Sequence, residues 1–245
     1  MKIARIFVTI IFICKPSYAA IALVQTKGSS ADTPAARITT TFDASPTEGN
    51  LMVATLSSND GDMTNPSGWT TAVNNVNTTH DDFLRIAYKV AAAGESASIT
   101  FTDMAGGGSA NLGLYEFSGV DTASPLDDTG STAFLLSRTD LGADNTVPLV
   151  TTVPDTVLVA LLAVRADITS PAMSNTFTLT HDLKPTASFE GVDGYRIVSS
   201  QGLNSTTFTW TNSGTALAAI AAFEASAGAV APALAPQRRA FWIRR

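Results

Sequence analysis

The segment DTVLVALLAVRAD, residues 155–167, holds eight consecutive apolar residues, 157–164. That is far too short for a transmembrane helix and short for a globular one. The run is rich in branched side chains and is bracketed by Pro154-Asp155 and Asp167, so it reads as a core strand. It also has an echo, because LMVATL at 51–56 aligns with VLVALL at 157–162.

Three more matches follow in the same order: FLRIAYKV (83–90) with GYRIVSSQ (194–201), SITFTD (98–103) with TFTWTN (207–212), and LGLYEFSG (112–119) with IAAFEASA (220–227). Order and rough spacing agree over about 70 residues, which predicts a degenerate internal duplication with halves at about 45–119 and 155–225. Ile99 and Phe101 alternate with polar residues, as do Phe208 and Trp210, the pattern of strands with one wet face. Turn sequences such as SPTEGN (45–50), NPSGW (65–69), AAGES (92–96) and TNSG (211–214) separate the apolar segments. Charged residues make up only 15% of the chain and no helical pattern is convincing. The expected fold is therefore all-β: an antiparallel two-sheet β-sandwich, jelly-roll-like, in one domain over residues 20–225. A half of about 70 residues without disulfides has a marginal core, so the copies are expected to complete each other's sheets.

The two ends differ from this body. Residues 1–19 carry Lys2 and Arg5, an apolar run, and then Ser17-Tyr18-Ala19, the pattern of a secretory signal peptide. Cys14 is the only cysteine and lies inside that segment, so the mature chain would have neither disulfide nor thiol chemistry. Residues 226–245 form an Ala/Pro-rich linker and a tail, RRAFWIRR, in which Arg238, Arg239, Arg244 and Arg245 surround Phe241 and Trp242. Such a tail suits docking to a protein groove, binding to an anionic envelope surface, or sorting. Between residues 20 and 236, 8 Lys/Arg face 21 Asp/Glu, a net charge of −13. A body so acidic repels phosphate backbones, which excludes nucleic-acid binding through the domain itself.

NLMVATL, NPSGWTTA, LRIAYKVAAAGESASITF, LYEFSGVDTASPLD and TTVPDTVLVALLA occur in that order. The set resembles a widespread family of exported or phage-encoded β-sandwich domains that read "LLVA…PSGWT…YKVAGAGE…YSGVDTS.PID…LLVA". The resemblance covers about residues 21–225 and implies a surface or virion domain mostly without assigned chemistry. It carries over no catalytic residues. In the second half the PSGW turn has drifted to MSNTF (173–177).

Candidate sites are sparse. His80 and His181 are each followed by Asp, but no nucleophile elbow and no ligand-spaced cluster accompanies them. Asp60 and Asp62 flank a glycine, and Asp121, Asp127 and Asp128 share a second loop; calcium is the one cofactor such oxygen-rich loops could hold, ordinary polar turns being the other use. Trp69, after its turn, is the best candidate for stacking on a sugar. Arg85 and Arg196 fall at matching places in the alignment, as do Glu116 and Glu224, and each arginine is expected to pair with a glutamate on a neighbouring strand. The expected function is a non-catalytic extracellular structural or adhesive module, attached through its tail to a protein partner, an assembly or the envelope, with self-assembly open through edge strands. The alternatives are a phage virion component and a glycan-binding module.

Overall fold

A computed structural model describes residues 19–32, 37–59, 61–78, 80–102, 108–132, 135–138, 146–186 and 188–227. Residues 1–18, Asp60 and residues 228–245 lie outside the described residues. Two antiparallel sheets form the centre. The first has the spatial order β1 (Ala22–Ala31), β7 (Ala110–Ser118), β3 (Leu51–Ser58), β5 (Asp82–Val90), β4 (Thr70–Asn77). The second has the order β13 (Thr178–Thr186), β14 (Phe189–Val198), β11 (Thr156–Arg165), β16 (Gly214–Glu224), β8 (Leu126–Ser131), and β9 (Leu135–Arg138) also pairs with β16. A small outer sheet of β2 (Arg37–Thr41) and β6 (Ser98–Thr102) covers the first. Another, of β10 (Thr146–Thr151), β15 (Gly202–Thr211) and β12 (Thr169–Met173), covers the second.

The all-β antiparallel sandwich is thus present, with a layer added outside each of its two sheets. The extra layers explain the apolar run at 157–164. Side chains of a strand alternate between faces. Val157, Val159, Leu161 and Ala163 of β11 enter the core between the central sheets, where Leu51, Val53, Ile86 and Phe117 meet them. Leu158, Ala160, Leu162 and Val164 enter the outer core with Phe208 and Trp210. With both faces dry, no position of the run can be polar without loss of about 1.5–3 kcal/mol of burial per side chain.

The halves do not complete each other's sheets. Four strands of each central sheet come from one half, and the halves meet face to face through side chains. The extra strands β1 and β8 give each half its own fifth strand, so stacking rather than strand exchange enlarges the core. Backbone ties across the junction gather at one corner, where Ser226 donates to Gly119, Ala19 donates to Ser226, and Asp121 donates to Glu224.

Strand order is the same in the two halves once β1, β3, β4, β5 and β7 are set against β8, β11, β13, β14 and β16. The registers refine the sequence alignment. Leu51 faces Val90 and Phe117, while Val157 faces Ile197 and Phe223. Tyr88, opposite Val53 and Thr70, therefore corresponds to Tyr195, opposite Val159 and Thr178. The same registers set Arg196 against Lys89, four residues from Arg85, and set Glu116 against Ala222 rather than Glu224.

Candidate functional site

Two constellations gather the polar side chains that the core does not explain. The first lies between the central sheets. Asp193 of β14 is 2% exposed and accepts from the Tyr115 hydroxyl of β7 and the Thr55 hydroxyl of β3. His181 of β13 places Nδ1 2.8 Å from Asp193 Oδ1 and Nε2 3.0 Å from Thr26 Oγ1 of β1. Side chains of both halves thus converge on one carboxylate. Burial, then the Asp193 charge, pushes the Tyr115 hydroxyl well above its ordinary range, which keeps it a donor. The cluster fits because glycines floor it. A Cβ on Gly113 would run into Asp193, Thr55 and His181, and one on Gly28 would press on the His181 ring.

Hydroxyl, imidazole and carboxylate stand here in the order of a nucleophilic triad. The same groups also join the two sheets. Thr26 Oγ1 donates to the Leu114 carbonyl at 2.8 Å, which engages the single proton of its hydroxyl. Asp193 also binds three groups on three strands, which ties the sheets together more than it tunes one imidazole.

A second tie crosses the halves. Arg165 of β11 reaches Asp82 at 2.8 Å and the carbonyl of Asn59 at 2.9 Å. Asp82 is drawn upward in pKa by burial, against the opposing pull of Arg165.

The second constellation is a groove of about 520 Å³ on the outer face of the second half. Arg196 of β14 lies beside the turn Asn175-Thr176 and beside Leu203, Asn204 and Ser205 of β15, with Ser200 closing one side. Phe177 N–H donates to Ser174 C=O, and Asn175 and Thr176 take φ of 57° and 61°, the left-handed pair of a type I′ turn. Thr176 is β-branched, so this conformation costs about 1–2 kcal/mol.

The residues singled out from sequence sit as follows. Trp69 is 8% exposed and packs edge-to-face on Phe101 at 5.6 Å, because its turn delivers it inward at the start of β4; it is a core residue and not a stacking platform. Asp62 receives Arg85 at 2.7 Å and the Met63 N–H at 2.6 Å. Asp121 caps Ala123 and Ser124, and Asp127 accepts from Thr152 N–H and hydroxyl. These donors occupy lone pairs a cation would use, and among the described residues no acid or histidine cluster is arranged for a metal. Arg85 pairs with Asp62 and Asn65 rather than with Glu116, which lies level with Met52, four residues or about 13 Å along the strand from Leu56 opposite Arg85. Glu116 instead accepts from Thr47 N–H, Asn50 and Gln25. Arg196 has no ion pair among the described residues, so the expected Arg–Glu pairing is absent there too. Arg238, Arg239, Phe241, Trp242, Arg244 and Arg245 lie outside the described residues.

Sequence reasoning did not anticipate Glu190. Its side chain is 1% exposed, 3.8 Å from Lys184 Nζ, and accepts from the Ile168 N–H. Burial, then the hydrogen bond and like charge of Asp182, raises it from 4.5 to about 8. The folded chain therefore holds a proton that the unfolded chain releases above about pH 4.5. Stability is expected to fall as pH rises from about 4.5 to about 8, and to level off above. Denaturant unfolding across that range should show Glu190→Gln losing about 1–2 kcal/mol less than the wild type, after allowance for solvent screening. Parallel curves would contradict the assignment.

No family model, curated protein or solved structure matches the chain.

Proposed function

We propose that this chain is an exported, non-catalytic β-sandwich module that acts by binding at a cell surface, held to an envelope or assembly through residues 226–245. We take its two halves as products of an ancient duplication. The observation that carries the non-catalytic reading is the buried network around Asp193. Among the described residues, the one constellation with the composition of a catalytic site joins the two sheets, and its Thr26 hydroxyl is turned onto a backbone carbonyl. The N-terminal pattern supports export, and the arginine-aromatic tail supports attachment. The motif set that resembles phage-encoded domains favours a second reading, a virion component.

Deletion of residues 238–245 tests the attachment. The expected result is release of the protein into the medium with stability unchanged within about 0.5 kcal/mol, since the deleted residues follow the last described strand by more than ten positions. Unchanged localisation would overturn the tail's role. Mass spectrometry of the native N-terminus separates the two readings: a start near Ala20 supports export, and an intact Met1 in purified particles supports the virion.

A further inference from the structure

The first half closes the place that the second half leaves open. Lys89 runs beside Gly68 in the turn 66–69 and pairs with Glu95 of its own half at 2.8 Å. The other Glu95 oxygen accepts the Ala92 N–H at 3.3 Å. Arg196 stands at the position of Lys89, because Lys89 faces Met52 as Arg196 faces Leu158. The turns correspond as well. Trp69 donates to Pro66 as Phe177 donates to Ser174, both aromatics enter outer cores, and Thr70 and Thr178 begin the following strands. Thr176 therefore stands where Gly68 stands. What differs is the acid. The β5–β6 connection, AAAGESA, carries Glu95, whereas the β14–β15 connection is Ser199-Ser200-Gln201, without a carboxylate. Among the described residues, no acidic side chain lines the groove.

We propose that the groove beside Arg196 binds a sugar bearing a carboxylate, which takes the place that Glu95 fills in the first half. The guanidinium offers a planar fork that matches a carboxylate. Asn175 ties its amide nitrogen to Ser205, and Asn204 ties its own to Thr151 and Gly202, which leaves two side-chain carbonyl oxygens to accept sugar hydroxyls. Leu203, 76% exposed, supplies an apolar flank for the C–H face of a ring. The groove's volume falls in the range of small-ligand sites. A net charge of −13 over residues 20–236 disfavours a polyanion, so the ligand is a glycan with one acidic residue at its tip. Thr176 keeps a strained backbone at the groove wall where the first half uses glycine, the kind of outlier that persists at binding sites.

The proposal deepens the surface-binding reading by naming a ligand class, and its test is independent of attachment. Full-length protein is titrated with sialyllactose, lactose and acetate by calorimetry or ligand-observed NMR. Sialyllactose is expected to bind with a Kd of about 1 mM or tighter, and lactose and acetate at least about tenfold more weakly. Arg196→Gln should abolish the binding, and Arg196→Lys should weaken it about tenfold, because a point charge lacks the fork. Thr176→Gly should melt about 2–4 °C higher while binding less tightly. Equal binding of lactose would remove the carboxylate from recognition, and equal binding of acetate would reduce the site to an anion site. Absence of binding, or binding unchanged in Arg196→Gln, would overturn the proposal. Tail deletion reads localisation and titration reads ligand binding, so either reading can fail alone.

Discussion

Asp193→Ala is expected to lower the unfolding free energy by about 3–5 kcal/mol, among the largest losses for a single substitution in this chain. The carboxylate accepts from Tyr115, Thr55 and His181, and all three are buried or nearly so. Truncation takes the acceptor from the Tyr115 hydroxyl and a ring N–H in a place water reaches poorly, while the Thr55 hydroxyl keeps only its longer bond to the Gly113 carbonyl at 3.3 Å, and each orphaned group costs about 1–3 kcal/mol. It also opens a void between the sheets. Asp193→Asn keeps the volume and one carbonyl oxygen, so about half of the loss should return. Urea unfolding at neutral pH measures both. A loss below about 1 kcal/mol for the alanine variant would mean that the sheets are held by apolar packing alone.

Gly113→Ala is expected to cost about 2–4 kcal/mol although it adds one methyl to a strand. The new Cβ would meet the Asp193 carboxylate, the Thr55 hydroxyl and His181 Nδ1, a set locked by its own hydrogen bonds. Ordinarily alanine is the better strand residue, so the sign of the effect reports on the cluster and not on backbone preference. The double variant Gly113→Ala/Asp193→Ala provides the sharper measurement. With the carboxylate gone, part of the clash disappears, and the combined loss should fall short of the sum by about 1 kcal/mol or more. Simple additivity would place the two residues in separate environments.

Much of this architecture was legible from local patterns. The run at 157–164 marked β11, the alternation at Phe208 and Trp210 marked the core face of β15, and the Gly/Asn turns marked the starts of β3, β4, β6 and β16. What escaped were relations between distant strands. Arg85-Ile86 and Arg196-Ile197 look alike, yet the ladders shift the second pair by four residues, because similar dipeptides carry no register. Trp69 follows an exposed turn, and nothing local tells whether the next residue points out or in. The groove at Arg196 depends on a short loop and a bent turn meeting across two strands. Its one sequence trace was the drift of PSGW to MSNTF. The Asp193 network joins residues 12 to 155 positions apart and could not be read from spacing. It did leave a signal in Gly28 and Gly113: glycine inside a strand marks the close approach of another group.

Because backbone bonds between the halves gather at a single corner, almost everything one half senses of the other arrives through the shape of its inner face. The exterior sheets and their turns are insulated from that conversation. Glu95 can seal its lysine on one flank while Arg196 stands bare on the opposite flank, and neither choice disturbs the ladder beneath. A protein assembled this way can rewrite one outer surface and leave the other as it was.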